Sequence, residues 1–203
     1  MFELKERDGL ARVGVLETAH GKVSTPALLP VVNPNQPLIS PQDLASRFGA
    51  EALITNAYIL GKGALRESVL RQGVHGLLGF SGAVMTDSGA FQSHVYGGVD
   101  VTNAQIIEFQ KAIGSDFGTM LDPFSEPEHP FARAQEDVDT TIERAKEAEA
   151  IKGDLALVGA VQGGLHADLR ERCAREVSSL DIAIAAIGGV VPLMESYRYT
   201  DLV

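Results

Sequence analysis

Two carboxylates hold the first chemical interest of this sequence. Asp87 follows the apolar run Ala83 to Thr86, and Asp122 follows the apolar run Phe117 to Leu121. Asp87 opens Asp87-Ser88-Gly89-Ala90-Phe91-Gln92, where Gly89 allows a close backbone turn and Phe91 offers an aromatic face to a planar substrate. A competing reading has Asp87 and Ser88 simply capping the next helix. Asp122 lies in Met120-Leu121-Asp122-Pro123-Phe124, with Pro123 and Pro127 keeping the following loop out of helical geometry. An ionised carboxylate only accepts hydrogen bonds, so Asp122 suits a ligand edge with adjacent N–H donors, such as N1 and the exocyclic amine of guanine. An Asx-turn is the alternative for that residue. Gln162, in Val161-Gln162-Gly163-Gly164, supplies both donors and an acceptor, and Gly188 and Gly189 let backbone N–H groups approach a ligand carbonyl.

These residues need elements that bring them to one place. Six apolar runs read as strands: Ala27 to Val32, Ala52 to Thr55, Ala83 to Thr86, Phe117 to Leu121, Leu155 to Val161 and Ile182 to Ile187. They are apolar on both faces, as parallel strands covered by helices are. Between them, Ala134 to Lys152 predicts a helix with Ala134, Val138, Ile142, Ala145 and Ala148 on one face, ended by Gly153. Asn103 to Ile113 starts on a capping residue, and Leu165, Leu169, Cys173, Val177 and Leu180 form another buried stripe. Residues 2 to 25, punctuated by Gly9, Gly14 and Gly21, read as a preliminary hairpin region.

Strand followed by helix at roughly 30-residue spacing fits a doubly wound sheet or a (β/α)8 TIM-type barrel. The barrel is preferred. There is no GxGxxG after the first strand, and polar or glycine residues stand at many strand ends: Asn33, Asn56, Asp87, Asp122, Gln162 and Gly188-Gly189. About six of the eight β/α units are present, with a further helix expected from Leu193.

Composition narrows the function. With 45% hydrophobic residues in 203, one globular domain is expected. The 17 basic residues against 27 acidic give a formal charge of −10, which excludes gripping nucleic acid with the whole surface. The single cysteine, Cys173, excludes a disulfide framework and a cysteine-rich metal site, and its place in an apolar stripe makes it core. The five histidines lack ligand spacing and read as surface or loop residues; His94 and Tyr96 lie near enough to Asp87 to contact substrate. No signal peptide or bilayer-length apolar segment is present, so a cytoplasmic protein without membrane contact is expected.

Met85 to Gln92, Leu121-Asp122-Pro123, Val161 to Gly164 and Ile187-Gly188-Gly189-Val190-Val191-Pro192-Leu193-Met194-Glu195-Ser196-Tyr197-Arg198 resemble, in order, the motifs of the tRNA-guanine transglycosylases. Phe2 to Lys5, Arg7-Asp8-Gly9, Pro30 to Pro34 and Ile54-Thr55-Asn56 are similar to the archaeal branch. The resemblance covers essentially the whole chain. It implies a barrel enzyme that exchanges a guanine in tRNA for 7-cyano-7-deazaguanine, on the archaeosine pathway, through a covalent ribosyl-aspartyl ester. It implies a catalytic role for Asp87, as nucleophile or general acid/base, and substrate binding by Ser88, Phe91, Asp122, Gln162, Gly188, Gly189 and Val190.

The resemblance also implies what residues 1–203 do not contain. The second catalytic aspartate, the structural zinc with its cysteine and histidine ligands, and the tRNA-binding extensions all belong beyond residue 203. No cofactor is expected within the chain, which on its own should be inactive. The expected partners are tRNA, guanine or 7-cyano-7-deazaguanine, a C-terminal partner segment, and a second copy in a homo-oligomer. Two rivals remain: a non-catalytic or base-binding subunit of a split enzyme, and an aldolase- or decarboxylase-type barrel, the latter opposed by the lack of a strand-end lysine.

Overall fold

The computed structural model describes residues 2–95, 101–123 and 125–191. In chain order the elements are β1 (Phe2–Asp8), β2 (Ala11–Thr18), β3 (Gly21–Thr25), α1 (Pro41–Phe48), β4 (Ala52–Asn56), α2 (Ala57–Leu60), α3 (Gly63–Leu78) and β5 (Ala83–Asp87). They continue with α4 (Ala90–Val95), α5 (Asn103–Ala112), β6 (Phe117–Thr119), α6 (Phe131–Ile151), β7 (Ala156–Val161), α7 (Ala167–Val177) and β8 (Ile184–Ile187). The chain is an α/β protein. An antiparallel sheet β1-β2-β3 precedes a five-stranded sheet whose strands run in sequential order, β4-β5-β6-β7-β8, with parallel pairing in each recorded register.

The chain forms two compact units, one of residues 1–88 and 108–118, the other of residues 89–107 and 119–203. In the first, β1 to β3 meander through tight turns at Gly9 and Gly21, which take φ of +58° and +124°. The preliminary hairpin region is thus a full three-stranded sheet. Strand β4 runs parallel to β5 with Asn56 opposite Asp87, and β5 continues the pairing through Thr86 opposite Gly118 of β6. Both strands are apolar on either face, and Leu53, Val84, Leu60, Val69, Val74 and Ile113 are fully buried. Burial of each such side chain contributes about 1.5–3 kcal/mol. Helix α1 begins where Ser40 Oγ accepts from the Asp43 N–H at 3.0 Å, with Pro41 in its first turn, and ends at Gly49 in the left-handed conformation.

One predicted strand is corrected. Ala27 to Val32 contributes a single parallel bridge, Val31 to Ile54, rather than a strand. Pro26 and Pro30 have no N–H to give a ladder. What remains is one pair of backbone bonds: Val32 N–H donates to Ile54 O, and Ile54 N–H to Pro30 O. Leu28 and Val31 are consequently 84% and 82% exposed.

In the second unit, α6 starts after Pro130 and lays Ala134, Val138, Ile142, Ala145 and Ala148 into the core, the five residues its periodicity predicts. Helix α7 buries Leu169, Cys173 and Val177 beside them. Both helices pack on β7, which pairs in parallel with β8 from Val158–Ile184 to Val161–Ile187. The run Phe117 to Leu121 stops being strand after Thr119, although Met120 N–H still reaches Val158 O at 3.2 Å. The helix expected from Leu193 lies outside the described residues, as does Tyr96.

Candidate functional site

In the first unit the site residues are Asp87 and Ser88. Asp87 ends β5, half-buried, and its Oδ2 accepts from Asn56 Nδ2 at 2.8 Å. Asn56 ends β4 and does two things at once, because its Oδ1 also accepts the Ile59 N–H at 3.0 Å and so caps α2. The amide is thereby held in one rotamer with its donor toward the carboxylate. Strand alternation sends the preceding side chain the other way: Thr86 is buried, and its Oγ1 donates to Gln110 Oε1 at 2.8 Å. Ser88 is buried at the turn out of β5.

The second unit holds Phe91, Asp122, Gln162, Gly188, Gly189 and Val190. Phe91 stands on α4 with 48% of its surface exposed. Asp122 is half-buried on the loop after β6, and its Oδ2 accepts from Gln162 Nε2 at 2.5 Å. That loop is pinned through Leu121: its N–H donates to Asn103 Oδ1 at 2.9 Å and its carbonyl accepts from Arg144 at 2.7 Å. Asn103 and Arg144 thus fix the direction in which Asp122 leaves the strand.

Gln162 is 2% exposed, and its Oε1 has no hydrogen-bond partner among the described residues. A buried acceptor without a donor costs about 1–3 kcal/mol. It lies against Gly188 and Gly189: a Cβ on Gly188 would stand 2.7 Å from Gln162 Nε2, and one on Gly189 would stand 2.8 Å from Oε1. These glycines are required because the amide occupies the space a side chain would fill. Gly189 also takes φ +68°. Val190 follows, half-buried.

Sequence reasoning missed Arg170. It sits on the outwardly charged helix α7, yet its guanidinium is buried and bonds three backbone carbonyls. Nε donates to Gly164 O at 2.7 Å, Nη1 and Nη2 both reach Gly188 O at 3.2 Å, and Nη1 approaches Val161 O at 3.5 Å. Arg170 therefore ties the ends of β7 and β8 to the loop that carries Gln162. Burial lowers its pKa from the ordinary value, with the sign expected of a desolvated cation. Gly163 makes the approach possible: at φ +147°, a Cβ there would lie 2.7 Å from the Arg170 backbone nitrogen. The only sequence sign was the adjacent glycine pair.

Cys173 is core, as its stripe predicts. Its Sγ accepts the Gln162 N–H at 3.3 Å, and burial pushes the thiol pKa up. A lone buried thiol does not fit the cysteine and histidine set of the structural zinc that the resemblance implies. Among the described histidines, His20, His129 and His166 lie in turns or loops as expected, and His75 lies in the last turn of α3. His129 Nδ1 bonds the buried Asp137 at 3.0 Å, His166 Nε2 bonds His129 O at 3.0 Å, and His20 and His75 both bond Asp116.

The profile of the family described as Queuine tRNA-ribosyltransferase matches residues 7–203. The chain belongs to that family. Relatives of this transferase family named tRNA-guanine(15) transglycosylase match over the whole chain: 49% identity with the protein of Methanopyrus kandleri, 51% with that of Thermococcus onnurineus and 49% with that of Methanosphaera stadtmanae. The chain spans 44%, 35% and 30% of those relatives respectively. The matched range, residues 7–203, contains Asp87, Asp122, Gln162 and Gly188 to Val190.

Proposed function

We propose that this chain is the base-recognising part of a tRNA-guanine transglycosylase, built on a (β/α)8 barrel, that exchanges a tRNA guanine for 7-cyano-7-deazaguanine. The observation that carries the reading is the Asp122–Gln162 pair. One buried amide gives its N–H to the carboxylate and keeps an unpaired Oε1 beside Gly188 and Gly189. A guanine edge presents N1–H and N2–H donors next to the O6 acceptor, and a carboxylate, an amide oxygen and the backbone N–H of Gly189 complement it, the Gly188 N–H being held by Val161 O at 3.0 Å. Phe91 supplies a stacking face, worth about 1–3 kcal/mol for base–aromatic contacts; Val190 and, in the other unit, Ser88 are the further residues assigned to binding.

In the proposed reaction a carboxylate oxygen attacks ribose C1′ and the C1′–N9 bond breaks, its electron pair leaving with guanine, which takes a proton at N9. The incoming base then loses its N9 proton, attacks C1′ and expels the carboxylate. Asp87 serves this step as nucleophile or as the proton-transferring acid/base, held by Asn56. A second acid and the basic surface for tRNA phosphates are assigned to the remaining length of the relatives, consistent with a net charge of −10 on this chain. The structural zinc belongs with that remainder, and the cytoplasm is the proposed compartment; no helix among the described residues is long and apolar enough to cross a membrane.

A second arrangement makes this chain the base-binding subunit of a split enzyme. One experiment addresses both. Incorporation of labelled guanine into tRNA is measured for the 203-residue chain, for the chain with the relatives' remaining segment added as a second polypeptide, and for the fused protein. The fused protein is expected to be active and its Asp87→Ala variant inactive. Activity on adding the second polypeptide supports the split form. Full activity of Asp87→Ala would remove Asp87 from the chemical step.

A further inference from the structure

His20, His75 and Asp116 come from three separate elements and converge. His20 lies in the turn between β2 and β3, His75 in the last turn of α3, and Asp116 just before β6. His20 Nδ1 stands 2.9 Å from Asp116 Oδ1 and His75 Nε2 stands 3.0 Å from Oδ2. The two imidazoles are stacked, with centroids 3.5 Å apart and planes 20° from parallel. Two near-parallel rings thus aim a nitrogen each at a single carboxylate, and one ligand atom from each of the three residues lies within 4.8 Å of the others.

We propose that His20, His75 and Asp116 form a binding site for a divalent transition-metal ion of the zinc class. The donor set is two imidazoles and one carboxylate, which suits Zn²⁺, Co²⁺ or Ni²⁺. Geometry supports it. With bonds of about 2.0–2.1 Å, donor atoms around a tetrahedral ion are about 3.3 Å apart. The two N···O separations of 2.9 and 3.0 Å are already close to that edge, so closing on an ion takes small side-chain adjustments. Each neutral imidazole frees its lone pair by carrying its proton on the other ring nitrogen.

The carboxylate is prepared for such a role. Asp116 is 1% exposed at its side chain, and Oδ2 also accepts the Val84 N–H at 2.8 Å, which fixes the ligand to β5. A path for entry exists on the other side, since the His20 side chain is 40% exposed and the His75 side chain 15%. A solvent molecule can fill the fourth position. The ion would staple the turn of the antiparallel sheet to the end of α3 and the start of β6. This site is separate from Asp87 and from the base-reading residues, and from the zinc set that the resemblance implies.

The test uses the full 203-residue chain after treatment with a chelator. Titration with Co²⁺, followed by visible absorption, and with Zn²⁺, followed by calorimetry, should give one equivalent bound and a raised Tm. His20→Gln is the decisive variant, because its amide can still donate to Asp116 while the imidazole is gone. It should keep the metal-free Tm of the parent and lose at least about tenfold in affinity. His75→Gln should behave likewise in binding. His166→Ala, outside the cluster, should bind as the parent does. Absence of stoichiometric uptake by the parent at micromolar metal, or unchanged affinity in both glutamine variants, would overturn the proposal.

Discussion

Replacing Gln162 by glutamate tests the amide–carboxylate pair with almost no change in shape. The side chain is 2% exposed and its Nε2 lies 2.5 Å from Asp122 Oδ2, so the variant sets two carboxylates in contact inside a dry site. If both were ionised, their repulsion would be about 4 kcal/mol at 4 Å separation with an effective dielectric of 20. The pair has an escape, which is to keep one proton and share it. Holding a proton on glutamate at pH 7, against an unfolded-state pKa of about 4.3 and at about 1.36 kcal/mol per unit, costs about 3.7 kcal/mol. The two figures are comparable, so Gln162→Glu should lose about 3–4 kcal/mol at pH 7 and bind the proton near neutrality. The folded-state pKa of the introduced acid is raised. The deficit is therefore complete above that raised value, shrinks by about 1.4 kcal/mol per unit as pH falls below it, and is gone near pH 4, where the unfolded chain is protonated too. Urea unfolding of parent and variant at matched pH values between 4.5 and 8 measures it, with titrations common to both cancelling. A deficit that does not vary with pH, or no deficit at pH 7, would show that residues 122 and 162 are not in contact.

Two further outcomes follow from the same unit. Arg170→Met strips the donors from Gly164 O and Gly188 O, and at about 1–3 kcal/mol per orphaned carbonyl, offset by relief of the buried charge, the net loss should be about 2–4 kcal/mol. Arg170→Lys should recover less than half, since an ammonium lacks the fork that reaches both carbonyls; a methionine variant with the parent's urea midpoint would deny Arg170 its tying role. Cys173, buried and with its thiol pKa raised chiefly by desolvation, should react with a disulfide reagent only as fast as the protein unfolds, so immediate labelling of the native chain would contradict its placement.

What could be read from the sequence follows the range of the physics involved. The burial of Ala134, Val138, Ile142, Ala145 and Ala148 depends on helical period alone, and the five residues fall where the period puts them. The parallel strands ending at Asn56, Asp87, Val161 and Ile187 are apolar runs whose ends are marked by polar or glycine residues, so their C-terminal limits were legible as well. The run Ala27 to Val32 is also apolar but failed as a strand, because hydrophobicity does not count N–H groups, and Pro30 within the run and Pro26 just before it lack them. That failure was legible too, had ladder donors been weighed before apolar content.

The pairings across long sequence distances were a different matter. Asp122 and Gln162 were each placed at a strand end, but their contact depends on how the loop after β6 leaves its strand, and Asn103 and Arg144 set that from two other helices. His20, His75 and Asp116 are separated by 55 and 41 positions, and no periodicity connects a turn, a helix end and a strand entry. Arg170 lies on a helix rich in surface charge, and nothing in its local pattern sets it apart from the other charged residues there. The overlooked clue there was backbone rather than side chain. A Cβ would strike the Arg170 backbone and Cγ at Gly163 and the Gln162 amide at Gly188 and Gly189, so each pair marks a close approach to the main chain. Glycine pairs at the ends of parallel strands should accordingly be read with a question about what approaches them; here the answers are the first turn of the next helix at Arg170 and the Gln162 amide.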